Sequence, residues 1–414
     1  MVGTETIDIL GLLSVLAFAW VFGAVSERLG YPAMMGELFA GIAFGPPLLG
    51  VLQPSEVLTV LSELGVFLLM IYVGMEVDLH DLFDLGPQAL VIAVGAFVIP
   101  FGMGYASGVL IGVPMEGALF LGIAMAATSL ATKSRILADL DLLETRIAKV
   151  LLGGALVSDV GVLVVFSGVI GFINAGSVDP LDMGVILGKA LAFFAVTIVV
   201  GDRFLPPLWS KLEALRERYG FVDKTSAFTF ALLVSLAFAE LASLAGLHMI
   251  IGGFMAGAFL RMADVQESLY EHMHDVIYDL AMGFFAPIFF VTVAFELSFA
   301  VFAENLALLV LLVAVAFAGK IIGSWLFALP TKLTSREGLV VGFGMNGRGT
   351  VEIIIASIGL SSGIIDEQMF SILVFIAIFT TALVPATMTW GVRLLEAADE
   401  LVGADGEPSS VSKH

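Results

Sequence analysis

Cysteine is absent from all 414 positions, which excludes disulfides, thiolate metal sites and cysteine nucleophiles. Charge is scarce too, at 14% of residues, and basic residues are the scarcer kind: 18 Lys and Arg stand against 38 Asp and Glu, a formal net charge of −20. That balance excludes nucleic acid as a partner, because phosphate binding needs clustered Lys and Arg. An acidic excess of this size also suits a salt-rich medium, which screens self-repulsion. The five histidines show no metal-ligand spacing, and His272 and His274 fall in what reads as a cytoplasmic loop. The first apolar block, about Ile9 to Val25, lacks a basic segment before it and a small-residue cleavage site after it. It is expected to be a retained span and not a signal peptide.

What the chain has in abundance is apolar sequence: 59% of residues are hydrophobic. They gather in blocks long enough to cross a bilayer as helices. Spans are expected near 8–25, 33–50, 57–75, 88–112, 117–138, 147–173, 183–202, 227–245, 247–260, 280–298, 305–328, 338–358 and 368–391. The fold class is therefore an all-α polytopic membrane protein of about 13 transmembrane helices.

The count can be tested on the basic residues, since Lys and Arg concentrate in cytoplasmic loops. With the N-terminus outside and the C-terminus cytoplasmic, the inside segments hold Arg28, Lys133, Arg135, Arg146, Lys149, Arg203, Lys211, Arg216, Arg218, Lys224, Arg261, Lys332, Arg336, Arg393 and Lys413. The outside loops hold none, and Lys189, Lys320 and Arg348 fall within spans. The longest interior polar segment, about 203–226, reads as a cytoplasmic connector. The tail after Arg393 is short and acidic and is expected to be disordered. Any regulatory domain is expected to be missing or on a separate subunit.

The chain also echoes itself. MGELFAGIAF (35–44) and IGGFMAGAFL (251–260) match at the first Gly and at the Ala-Gly pair, at an offset of 216 residues. FLLMIYVGMEVD (67–78) faces FFAPIFFVTVAFELS (284–298), with Glu76 and Glu296 closing the two apolar runs at an offset of 220. The offset covers seven spans, an odd number, so the second copy enters the membrane from the opposite side. The domains are then 1–173 as a first repeat, 174–226 as linker helix and connector, 227–392 as a second, inverted repeat, and 393–414 as a short cytoplasmic tail. Inverted repeats mark transporters, with the substrate site near the midplane where interrupted helices meet. The competing explanation is small-xxx-small spacing, which recurs in membrane helices for packing reasons.

Two spans are interrupted. In the fifth, AATSLATKSR places the hydroxyls of Thr128, Ser129 and Thr132 at membrane depth; in the twelfth, GFGMNGRGTVE sets Gly347 and Gly349 around Asn346 and Arg348. Unwinding exposes backbone carbonyls that can replace a cation's water shell, and the half-helix ends carry partial charge. Asp159, alone in the apolar run LLGGALVSDVGVLVVF (151–166), supplies a fixed negative charge. A carboxylate in a low dielectric is costly to ionise, so a proton or a cation must neutralise it and the two compete. If the loaded site faces either side but the empty charged one crosses poorly, antiport follows. The alternative is that Asp159 pairs with Lys320 or Arg348 to hold helices together, although intramembrane ionisable residues default to function.

Lys320, some fifteen residues into its span, is a natural electrostatic partner for Asp159. Arg348 and Glu352 are four apart on one helix, a spacing that pairs them. Glu37, Glu63 and Glu240 read as packing or interface residues, and Lys189 as a snorkelling one.

Taken together, YPAMMGELFAGIAFGP (31–46), LSELGVFLLMIYVGMEVDL (61–79), ATSLATKSRILADLDLLETRIAKVLLGGALVSDV (127–160), GLHMIIGGFMAGAFL (246–260), FFAPIFFVTV (284–293) and GMNGRGTVEIIIA (344–356) resemble segments of the monovalent cation/proton antiporters. The likeness is to the branch of bacterial sodium/proton antiporters and Kef-type potassium/proton proteins. It implies inverted six-helix repeats with crossed discontinuous helices, a homodimer, and a core domain that moves like an elevator. It also implies that Asp159 binds cation and proton, that Thr128 and Ser129 form the polar pair of the crossed helices, that Lys320 is the basic residue of the core, and that Arg348 is the arginine after the second break. Two departures bear on mechanism. This chain has Ser158-Asp159 where relatives carry two polar or acidic residues ending in Asp, and Gly347-Arg348-Gly349-Thr350 where they often read Pro-Arg-Gly-Glu, with Glu352 displaced.

The expected function is secondary-active exchange of Na+ or K+ for H+ across the inner (plasma) membrane, serving pH and salt homeostasis. No cofactor, and no metal beyond the transported ion at Asp159, is expected. One carboxylate exchanging one proton is electroneutral; a proton lost also from Lys320 would make exchange electrogenic, and the sequence does not choose. The rivals are a Kef-like K+ efflux pathway gated by a separate regulator and a symporter for an organic anion. A membrane enzyme lacks any metal cluster or nucleophile-base pair.

Overall fold

The computed structural model describes residues 8–77, 87–140, 142, 143, 145–175, isolated positions between 188 and 203, 224–262, 267–398, 400 and 402. Among these residues the regular structure is helical, apart from an isolated bridge at Thr145 and Val402. The first helices are α1 (Ile9–Arg28), α2 (Ala33–Phe44), α3 (Glu56–Met75), α4 (Pro87–Leu110), α5 (Met115–Ala126), α6 (Leu130–Asp139) and α7 (Arg146–Ala175). Then come α8 (Lys224–Leu244), α9 (Met249–Met262), α10 (Glu267–Leu280), α11 (Ala286–Val293), α12 (Ala300–Glu304), α13 (Leu306–Ala328), α14 (Ser335–Gly344), α15 (Thr350–Ser361) and α16 (Glu367–Glu396). Among the described residues, eight helical stretches are long and apolar enough to cross a membrane, and four shorter apolar helices accompany them.

Twelve of the expected spans have helices in place. The seventh, near 183–202, and the connector at 203–226 lie mostly outside the described residues. The second span is shorter than expected: α2 stops at Phe44 because Gly45 is followed by Pro46 and Pro47, which have no N–H to continue the ladder. The segment holding His272 and His274 is not a loop. It is helix α10, continued into α11 through the π-helical turn Ala281–Phe285. Met273, Ile277 and Ala281 recur every four residues and are fully buried. This single apolar stripe holds a helix whose mean hydropathy is too low to announce it. At the C-terminal end, α16 continues through Arg393 to Glu396, so the tail begins later than expected.

The chain forms two compact units, and each takes helices from both halves of the sequence. The first unit comprises Met1–His80 and Ile170–Leu297. Within it the self-echoing segments meet crosswise. A methyl at Gly41 would overlap the carbonyl of Val291, and one at Gly257 would overlap that of Ile71. The Ala-Gly pair of each copy thus lets α2 approach α11, and α9 approach α3, backbone to backbone.

The second unit comprises Asp81–Val169 and Ser298–His414. Here α4 lies between α5 and α13. The α4–α13 crossing is equally close, since a methyl at Gly323 would strike the carbonyl of Gly95. Helix α14 starts with a capping box in which Glu337 accepts the Thr334 N–H at 2.7 Å while Thr334 accepts the Glu337 N–H at 3.2 Å. The same carboxylate takes a two-pronged contact from Arg146, at 2.5 and 3.2 Å, anchoring the start of α7.

Candidate functional site

Both interrupted spans are broken in the second unit. Helix α5 ends at Ala126, Ala127 and Ser129 adopt extended backbone, and Ser129 restarts the chain as α6 by accepting the Thr132 N–H. Helix α14 ends at Gly344, and α15 starts after extended Gly349. The breaks face each other. The Ser129 N–H donates to the Gly347 carbonyl at 3.0 Å. The Thr128 hydroxyl reaches the carbonyls of Met345 and Gly347, each at 3.2 Å, and Thr132 reaches that of Arg348 at 3.3 Å. Glycine at 349 is a matter of room: a methyl there would overlap the Ser129 hydroxyl.

Charge is laid out to suit the four half-helix ends. The last carbonyls of α5 have no partner in their own helix and carry partial negative charge. Arg348 donates to those of Ala124 (2.7 Å) and Met125 (3.2 Å), and Lys320 to that of Ala126. Across from it α6 begins at Leu130, and a helix N-terminus suits an anion. Glu352 lies in the first turn of α15 and pairs with Arg348 at 2.7 Å, with both side chains fully buried.

Asp159 (7% exposed) and Ser158 (1%) are buried on α7, which packs against the second break where Gly154 meets Met345. Asp159 Oδ1, Ser158 Oγ and Asn346 Oδ1 have no hydrogen-bond partner among the described residues. Buried polar oxygens are otherwise almost always satisfied, and three such oxygens are the donors a hard cation takes. Asn346 uses its amide nitrogen on the Gly342 carbonyl at 3.0 Å.

Two placements differ from expectation. Lys320 does interact electrostatically with Asp159, but its ammonium bonds the carbonyls of Ala96 (3.0 Å) and Ala126. Its partner is a helix end that the sequence does not display. Lys133, counted above among the cytoplasmic basic residues, is 1% exposed, and its ammonium bonds Thr128 Oγ1 and the Ser129 carbonyl (3.0 Å). The physical reason is direction: helical side chains lean toward the N-terminus of their helix, and four residues after Ser129 that lean points into the break. Thr381, on α16, was also missed; it accepts the Arg348 N–H at 3.0 Å. Of the remaining acidic candidates, Glu37 is buried in the first unit, while Glu63 and Glu240 are exposed.

Charged groups and hydroxyls buried at two facing helix breaks, in a chain of membrane-spanning helices, define a membrane transporter. Residues 13–393 match the family described as sodium/hydrogen exchanger, transmembrane, and the chain belongs to that family of monovalent cation/proton antiporters, transporters and not enzymes. It is 32% identical to the Na+/H+-K+ antiporter GerN of Bacillus cereus, over 89% of this chain and 92% of that protein. It is 29% identical to a Na+/H+ antiporter of Enterococcus hirae, over 92% and 98% of the two chains. In fold it is similar to the sodium proton antiporter MjNhaP1 of Methanocaldococcus jannaschii, with a TM-score of 0.69 at 18% identity over 93% of this chain and 97% of that one.

Proposed function

We propose that this multi-pass membrane protein exchanges Na+ or K+ for H+, with Asp159 taking the cation in competition with a proton. The observation that carries the reading is the buried Asp159 carboxylate with an unpartnered oxygen, beside the unpartnered Ser158 hydroxyl and two helix breaks. Thr128, Ser129 and the Asn346 side chain, with backbone at Gly347 and Gly349, complete an all-oxygen ligand set. Lys320, Arg348 and Glu352 are the supporting charges. Relatives named as Na+/H+ or Na+/H+-K+ antiporters support this choice of ions.

The same reading takes thirteen spans in two inverted repeats, an outside N-terminus, a cytoplasmic C-terminus, a plasma-membrane location and a homodimer. The crosswise meeting of the echoed segments, α2 with α11 and α9 with α3, supports the repeat. The mechanism is elevator-type alternating access, with the second compact unit as carrier.

The experiment is proton flux in proteoliposomes holding an internal pH dye, pulsed with Na+ or K+ at zero and at negative clamped potential. A cation-driven pH change at zero potential is expected, and the responding ion names the substrate. Potential-driven cation flux with no proton movement would replace this reading with a gated K+ pathway. No response to either ion would favour an organic-anion carrier.

A further inference from the structure

We propose that Pro100 is a positioning residue: it frees the backbone carbonyl that holds the Lys320 ammonium away from Asp159, and so keeps the carboxylate open to the transported cation. The inference rests on the reading of Asp159 as the cation site and adds what stops a neighbouring ammonium from taking the cation's place.

The helix ladder is the first support. Pro100 stands near the middle of the 24-residue helix α4, where a proline has no N–H to give to the carbonyl four residues earlier. That carbonyl belongs to Ala96, and it accepts the Lys320 ammonium at 3.0 Å. The ammonium's other acceptor is the carbonyl of Ala126, the last residue of α5. One carbonyl lacks its helical donor because the helix stops, the other because of the proline. Lys320 is fully buried, and a buried charge needs such partners.

Packing is the second support. Gly319, the residue before Lys320, sits on the proline: a Cβ there would lie 3.1 Å from Pro100 Cα and 3.2 Å from Pro100 Cβ. One turn along α13, Gly323 meets the backbone of Gly95. The two glycines bring α13 onto α4 where the ladder is open, which puts the Ala96 carbonyl within reach of the lysine. The third support is the state of Asp159. Lys320 interacts electrostatically with it, yet Asp159 Oδ1 has no hydrogen-bond partner among the described residues. Opposite charges attract strongly in a low dielectric, so an ammonium short of other acceptors would turn to that oxygen and occupy the cation's place. Proline at mid-helix is costly to stability, and the free carbonyl is what position 100 gains in return.

The test uses the full-length protein in proteoliposomes, with Pro100→Ala supplying the missing N–H. The helix then claims the Ala96 carbonyl, and Lys320 is released toward Asp159. KM for whichever of Na+ and K+ drives proton flux should rise about tenfold, the worth of one hydrogen bond to a charged group, at an unchanged maximal rate. Thermal stability should be kept or raised, because alanine is the better helix former, so a simple loss of packing would not imitate the result. Pro100→Val, which also supplies an N–H, takes over if Pro100→Ala does not fold. To separate the lysine from a straightening of α4, cation binding is read as the cation-induced rise in Tm in detergent, with Pro100→Ala placed in the wild-type chain and in Lys320→Gln. The proline substitution should weaken the rise in the first and leave it unchanged in the second. An unchanged or lowered KM, or an equal weakening in both backgrounds, would overturn the proposal; if Lys320→Gln does not fold or shows no rise, the KM alone decides. Failure of the underlying reading shows separately, as exchange retained by Asp159→Asn in an otherwise wild-type chain.

Discussion

Glu352→Gln is the sharpest structural perturbation the site offers. The substitution keeps the shape of the side chain and removes only its charge, leaving the fully buried Arg348 guanidinium without the negative charge that faces it at 2.7 Å. A glutamate that loses its partner can take up a proton and become neutral, but arginine stays charged, so the cost cannot be evaded from this side. Breaking a buried pair by removing one partner costs about 3–5 kcal/mol. The pair as a whole is far less valuable, because replacing both members by apolar residues is often neutral. In Arg348→Met/Glu352→Leu the remaining loss is that of the donors to the carbonyls of Ala124 and Met125, about 1–3 kcal/mol for each group left unsatisfied.

The double variant should therefore lose about 2–6 kcal/mol, comparable to Glu352→Gln alone and far less than the sum of the two single changes. The assay is a double-mutant cycle on equilibrium unfolding in mild detergent, with Arg348→Met as the other single. A Glu352→Gln cost under about 1 kcal/mol, or losses that simply add, would refute the reasoning that a desolvated, mutually dependent pair braces the second break against the end of α5.

Gly349→Ala should destabilise by about 1–3 kcal/mol, the usual cost of overpacking, because the new methyl overlaps the Ser129 hydroxyl that caps α6. Thermal unfolding checks it, and wild-type stability would refute the close approach of the breaks. Asp159→Asn should fold normally, since Asp159 Oδ1 makes no hydrogen bond that folding needs, and should abolish exchange. The flux experiment above completes the set.

Much of the site could be read from sequence because its residues violate their surroundings. Asp159 in an apolar run, hydroxyls and glycines interrupting two spans, and an arginine four residues before a glutamate each conflict with a plain membrane helix, and each lies at the breaks. Lys133 escaped because the positive-inside rule treats a basic residue as a marker of location. That rule cannot distinguish a lysine in cytoplasmic water from one whose side chain leans back into a break. The partner of Lys320 escaped for another reason: the carbonyl of Ala126 becomes an acceptor only because α5 stops there, which is a property of backbone and not of side chains. Helix α10 was hidden by averaging, since its buried stripe of Met273 and Ile277 is diluted by charged neighbours.

The central claim is that cation and proton are exchanged through Asp159. Its most direct test is cation-driven proton flux by wild-type and Asp159→Asn proteins reconstituted side by side, each shown to be monodisperse and equally incorporated. The account predicts coupled flux from the first and none from the second. Coupled flux of similar rate from both would contradict it.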